Sequence, residues 1–403
     1  MLSRPRAIGM LRATHPLWMC GMRPFFLLAM LSALALIALW SVVLGAGIAP
    51  PRVAGGAVVW HVHEMVFGFA CAAVAGFALT AVPEFTGSAG VTRAQLRALV
   101  LLWVLGRLGF WSSGAIGMAG LWLSAAAHMG LLLGLAALLA RPLWGPAGRA
   151  HLALWWTLPA LAATVAGFHA DALRGLPGLR WLHAALGLLM LLIVVAMSRI
   201  SMRIVNRAIE ATTPGAPPYF ARPPRRHLAA LCIGLYTLAE FMQPGSRLTG
   251  WLALAASASM LHLMGDWHVG RALLRRWPLM LYAVYTCMAL GYGLLGWFLL
   301  GGEPGAGAGR HLLTMGAMSL AVFAVIAIAG RAHCGLPPDT GPWVPLGSAL
   351  LLAATGLRAG AAWLGGASWL AGAGACWCLA FALLLWRVGP PLMRERPDGR
   401  QGC

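Results

Sequence analysis

Apolar runs of roughly 18 residues or more recur along the whole chain, divided by short stretches rich in Gly, Pro and Arg. A helix needs about 20 apolar residues to cross a bilayer, so each run reads as a transmembrane helix. Twelve spans are predicted, at approximately 25–46, 58–82, 96–115, 119–140, 150–169, 180–200, 227–243, 249–267, 278–300, 310–331, 343–364 and 367–387. The third and fourth are separated only by a short Gly-rich turn. The longest polar stretch, 199–226, is rich in Arg and Pro and divides the chain into six spans and six. The expected fold is all-α: a polytopic integral membrane helical bundle of about twelve transmembrane helices. Residues 1–24 form a lead-in and 25–387 a single transmembrane domain of two six-helix halves joined by the 199–226 loop. Residues 388–403 form a tail.

Composition agrees with the pattern. Of 403 residues, 60% are hydrophobic and only 10% charged, where a soluble chain would carry about a quarter charged. The formal charge of +19 would elsewhere suggest nucleic acid, but here it has a membrane explanation and no nucleic-acid partner is expected. Every basic residue other than His is Arg, and 22 of the 29 fall on one set of alternate loops and termini, against 5 on the other set. Positive charge collects on the cytoplasmic side, which predicts that both termini are cytoplasmic. Arg residues continue up to the first apolar run with no small-residue cleavage site after it, so residues 1–23 read as a cytoplasmic lead-in rather than a signal peptide. The eight cysteines show no CxxC and read as small apolar fillers.

Within this apolar background the stretch Trp60-His61-Val62-His63-Glu64-Met65-Val66-Phe67-Gly68-Phe69-Ala70 stands apart. An ionisable group at the centre of a span costs roughly 2.5 kcal/mol or more, so such groups face partners inside the bundle and mark functional sites. Neutral imidazole is a common ligand for haem iron, copper and zinc. In a regular helix residues two apart lie about 200° apart, so His61 and His63 do not both reach one metal unless the helix entry is unwound. Either one ligates while the other pairs with a neighbour, or each serves a different centre. Glu64 and Met65 share a face more nearly with His61.

The predicted orientation sorts the other histidines by depth. His61, His63, His169, His183 and His311 lie near the outer face, His311 followed by Thr314 and Gly316. These five are expected to meet at one level, as a metal or haem site in a helical bundle requires. His128 lies near the middle of the fourth span, ~15 Å in. On the cytoplasmic side His262, His268, Asp266 and His333-Cys334 form a candidate second site, with Met19, Cys20 and Met22 as soft donors of the copper type. Arg107, Glu240 and Arg358 lie inside spans and are expected to be paired. Gly291-Tyr292-Gly293-Leu294-Leu295-Gly296 matches a nucleotide fingerprint but has no strand before it, and helix packing explains it.

Several blocks together resemble the NnrS family. They are Gly21-Met22-Arg23-Pro24-Phe25-Phe26-Leu27, the 60–69 stretch, Ala75–Pro83, Phe85-Thr86-Gly87, His311–Ala317 and His333-Cys334-Gly335. The resemblance covers nearly the whole chain. It implies a bacterial inner-membrane protein carrying haem and copper and linked to nitric oxide response and denitrification. His61, His63, Glu64, His311 and His333 match the family's polar positions, with His169 and His262 behind them. Two segments depart from the pattern, Ser198–Val205, which keeps only Arg199, and Val284-Tyr285, where the family has a His. The expected function is to bind or sense a diatomic gas such as nitric oxide at a haem or copper centre near the outer face. That centre is held mainly by His61 or His63 with His311, and membrane lipid surrounds it. A twelve-span transporter of metal, haem or a small solute, and a metal-delivery partner for another enzyme, are the rival expectations.

Overall fold

The structure is a computed structural model that describes residues 14–302 and 305–400. Arg4, Arg6 and Arg12, which entered the orientation argument, lie outside the described residues, as does Cys403. Among the described residues there are twelve long helices and no strand. They are α1 (Met22–Ala46), α2 (Gly56–Thr86), α3 (Arg93–Ile116), α4 (Met118–Trp144), α5 (Arg149–Leu173), α6 (Leu179–Thr212), α7 (Pro223–Met242), α8 (Arg247–Met264), α9 (Arg276–Gly301), α10 (Ala306–Ala332), α11 (Trp343–Leu364) and α12 (Ala367–Leu392). Each corresponds to one predicted span. Ten are long and apolar enough to cross a membrane. The other two fall short for visible reasons: α7 carries Arg225, Arg226 and Glu240, and α8 is made less apolar by Arg247, Thr249, Ser257, Ser259 and His262.

Two boundaries differ from the sequence pattern. The segment after residue 199 is not loop at first, because α6 runs on to Thr212. There Ser201, Val205 and Ile209 form a buried stripe at a spacing of four, while Arg203 and Arg207 face outward. An amphipathic extension of this kind stays helical by packing one face and extending its arginines toward water. The connection is left with residues 213–222, and Pro223 starts α7 at a position where its missing N–H costs nothing. Similarly, α12 continues past 387 to Leu392.

The helices with the largest buried shares are α2, α6 and α10, every fourth in the chain. They form the inner set, and α2 suits the place because Ala70, Ala72, Ala73, Ala75, Gly76 and Ala78 let neighbours approach. Helices α3 and α4 approach backbone to backbone. A side-chain carbon at Gly109 would lie 2.6 Å from the Ser124 amide nitrogen, and one at Gly120 would lie 2.7 Å from the Gly109 carbonyl. Backbones in contact at this point bring Arg107 and His128 together.

The first and last described segments are tied by one side chain. Arg23 is fully buried and donates to the carbonyls of Pro16 at 3.2 Å, Leu392 at 3.3 Å and Arg394 at 2.6 Å. Alongside, the Trp377 indole of α12 donates to the Ala33 carbonyl of α1 at 2.8 Å.

Candidate metal centres in the membrane

Helix α2 is not regular where its histidines lie. Directly after His63 it widens into a π-helical turn over Glu64–Ala70, and α10 does the same over Leu312–Met318, directly after His311. Each turn has a glycine five residues after the histidine, Gly68 and Gly316. A π turn interrupts the regular ladder, and the carbonyls within it find other donors. Trp103 of α3 donates to the Gly68 carbonyl at 3.1 Å, and the Ser319 hydroxyl donates to the Thr314 carbonyl at 2.7 Å. Such turns concentrate at functional sites. Glycine is needed in both. A side-chain carbon at Gly68 would meet Arg107 Nη1 at 2.6 Å, and one at Gly316 would meet Cys287 Sγ at 2.8 Å.

The structure separates His61 from His63, and two sites result where one level was expected. His63 turns inward toward α3, α4 and α5. With His128 and His169 it forms a buried cluster in which one ring nitrogen from each lies within 4.8 Å of the others. The Nδ1 atom of each ring is already engaged. For His63 the partner is Glu64 Oε1 at 3.0 Å, for His128 the Ser124 carbonyl at 2.8 Å, and for His169 the Val165 carbonyl at 2.9 Å. Each such bond holds the proton on Nδ1 and leaves the Nε2 lone pair as the acceptor, the arrangement found behind metal-ligating imidazoles. His63 Nε2 is buried with no hydrogen-bond partner. The Ser124 hydroxyl lies 3.0 Å from His169 Nε2 and 3.0 Å from the Gly106 carbonyl, and has one proton to give. Phe110 stacks on the His63 ring at 3.6 Å, and Phe67 and Phe168 pack around it.

One charge pair borders this cluster. Arg107 Nε lies 3.6 Å from Glu64 Oε1, and its Nη2 contacts His128 Nε2. Arg107 Nη1 is buried without a partner.

His61 faces the other way. Together with His183 of α6 and His311 of α10 it lines a cavity of about 350 Å³, so the three central helices supply one imidazole each. Arg310 and Arg358 add two cations, and Trp40, Trp377 and several Leu, Val and Met residues supply apolar walls. Trp40 stacks on His61 with ring centres 4.6 Å apart. His61 Nδ1 is buried without a partner, whereas His311 Nδ1 donates to the Gly307 carbonyl at 2.6 Å. His183 Nδ1 lies 3.8 Å from Glu240, which Arg310 grips at 2.5 Å.

Of the remaining expected positions, His333 shares a cavity of about 460 Å³ with Met19, Cys20 and Glu84. His333 lies 3.5 Å from Glu84, which also pairs with Arg203 at 2.9 Å. His262 is exposed on α8 and shares no site with His333, so the second site expected on that side is not formed by these two. Asp266 is taken by Arg225 at 3.1 Å. Six cysteines carry free thiols, in keeping with their reading as fillers. Arg107 and Glu240 are paired as expected.

His128 was the residue missed. A histidine ten residues into an apolar span is the costliest of the twelve to place, and that cost was itself the signal. What the sequence hid was its partner set, because His63 had been grouped with His61.

A search among curated proteins finds no match to the chain. The family described as NnrS protein matches residues 16–396, which takes in both histidine sites and the Arg23 contacts. The chain belongs to the NnrS family.

Proposed function

We propose that the protein is a haem- and copper-carrying membrane protein that binds a diatomic gas, nitric oxide foremost, in response to nitrosative stress or in denitrification-linked metabolism. The observation that carries this reading is the separation of His61 from His63, which gives two sites of different chemistry back to back on one helix. Haem fits the larger. An amphipathic ring bearing two carboxylates calls for imidazole on its iron, cations for the carboxylates and apolar walls, and the 350 Å³ cavity offers His61, His311, Arg310 and Arg358 among Trp and aliphatic side chains. His183 borders the same space from α6.

Copper fits the smaller. Three neutral imidazoles and no thiolate suit a borderline transition ion, and the orphaned His63 Nε2 supplies the open lone pair. Glu64 orients His63, and Arg107, which lies 3.6 Å from Glu64, would balance the carboxylate's charge beside the ion. When bound, haem iron supplies the gas-binding position and copper a one-electron couple. The chain itself orients the imidazoles, neutralises charge and keeps the triad dry behind Phe67, Phe110 and Phe168.

We place the protein in the bacterial inner membrane with both termini cytoplasmic, which the arginine distribution supports. The test is an optical spectrum with metal analysis on protein purified from cells supplied with haem and copper. A Soret band that moves on adding nitric oxide, together with about one copper per chain, is the expected result. Protein without either group defeats the proposal, and gradient-driven solute uptake in proteoliposomes would replace it with transport.

A further inference from the structure

A third space lies where α2, α6 and α10 meet. It is a partly open pocket of about 70 Å³ whose lining side chains are all apolar. Ala70 and Ala73 from α2, Ala196 from α6 and Ala321 from α10 leave the gap. Met318 lines both this cavity and the His61–His311 cavity, so the two share a wall. At the other end Phe77 and Ile200 are shared with a cavity of about 390 Å³ lined by Arg199, Arg203 and Glu84.

We infer that the 70 Å³ cavity is a docking site for a small uncharged gas molecule on its way to the His61–His311 cavity. Its size and chemistry select the occupant. A water needs roughly 10–15 Å³ and two to four polar partners, and this space has room for a few such volumes but offers no partner. An apolar cavity of that kind stays dry and takes small apolar guests such as xenon. An ion finds no countercharge there, and an aromatic ring does not fit. A diatomic gas dissolves in lipid, needs no polar contact and matches the volume. The position on the bundle axis, one methionine away from the histidine cavity, makes the space a staging point.

Delivery rests on the reading that the histidine cavity holds a gas-binding haem; docking does not, and the experiment separates them. Xenon-129 resonance, or xenon-pressurised crystals, probes the purified protein with or without haem. Xenon is expected in the wild type and absent from Ala73→Phe and from the milder Ala321→Leu, which fills the same gap from the opposite wall. On haem-loaded protein each substitution is expected to slow nitric oxide association several-fold. Dissociation slows equally, because a narrowed route leaves the equilibrium affinity unchanged. No xenon in the wild-type cavity overturns the docking site. Unchanged association rates in both variants overturn delivery. Absence of a Soret band defeats the haem reading and leaves the xenon result standing on its own.

Discussion

His61 and His63 stand two residues apart on one helix and live in opposite surroundings. His63 is fully buried, its Nδ1 held by Glu64 and its face covered by Phe110. His61 is half-buried, stacked on Trp40 and turned to a cavity of about 350 Å³. Both have an unpartnered buried nitrogen. The lesson is that equal ligand chemistry is assigned by what surrounds it. Rings closed in by Phe and fixed through carbonyls suit a bare ion, while rings at the edge of an amphipathic space suit a large planar group.

The largest break in that comparison comes from paired deletions. His63→Ala with His128→Ala is expected to abolish copper binding and leave the Soret band in place. His61→Ala with His311→Ala is expected to do the reverse, with both contents read by metal analysis and absorbance. Loss of both groups in either pair would mean that the sites are one.

A smaller effect is expected from Glu64→Gln, which keeps the shape but weakens the acceptor behind His63. Outer partners of ligating histidines are worth roughly 10–100-fold in metal affinity, so copper should be lost to a competing chelator at correspondingly lower concentration. Haem content should not move.

Gly109→Ala tests the support rather than the ligands. The added carbon meets the α4 backbone at 2.6 Å, and overpacking of this kind costs ~1–3 kcal/mol. A lower unfolding midpoint in detergent, with copper lost before haem on heating, is expected because α3 carries Arg107 beside the triad and α4 carries the triad's His128.

Smallest of all is Trp40→Ala. Stacked aromatic pairs are worth ~0.5–1.5 kcal/mol, so haem affinity should fall by about two- to tenfold, with the triad untouched.

Much of this was legible along the chain. The twelve long helices were readable because apolar length is a strong signal, and the boundaries shifted where amphipathic helix replaced it. Past residue 199 the arginines looked like loop, yet Ser201, Val205 and Ile209 carried a helical stripe through them. The 200° argument left open that His61 and His63 serve different centres, and they do face different sites. Which histidines joined which was not legible, because partner choice depends on helix rotation and on two π turns that no local pattern announced. His128 is the clearest case. Its companions His63 and His169 lie 65 and 41 positions away, and the Gly109–Gly120 contact that aligns α3 with α4 acts through backbone shape alone.

Arg23 carries a consequence for how the chain is made. Its guanidinium is fully buried, and its Nη1 donates to carbonyls at Leu392 and Arg394, which are synthesised 369 and 371 residues later. Until then α1 enters the bilayer with an arginine short of acceptors and with the Ala33 carbonyl awaiting Trp377. The bundle is therefore closed where α12 meets α1. A synthesis stalled before α12 should leave α1 as the weak seam where quality control acts.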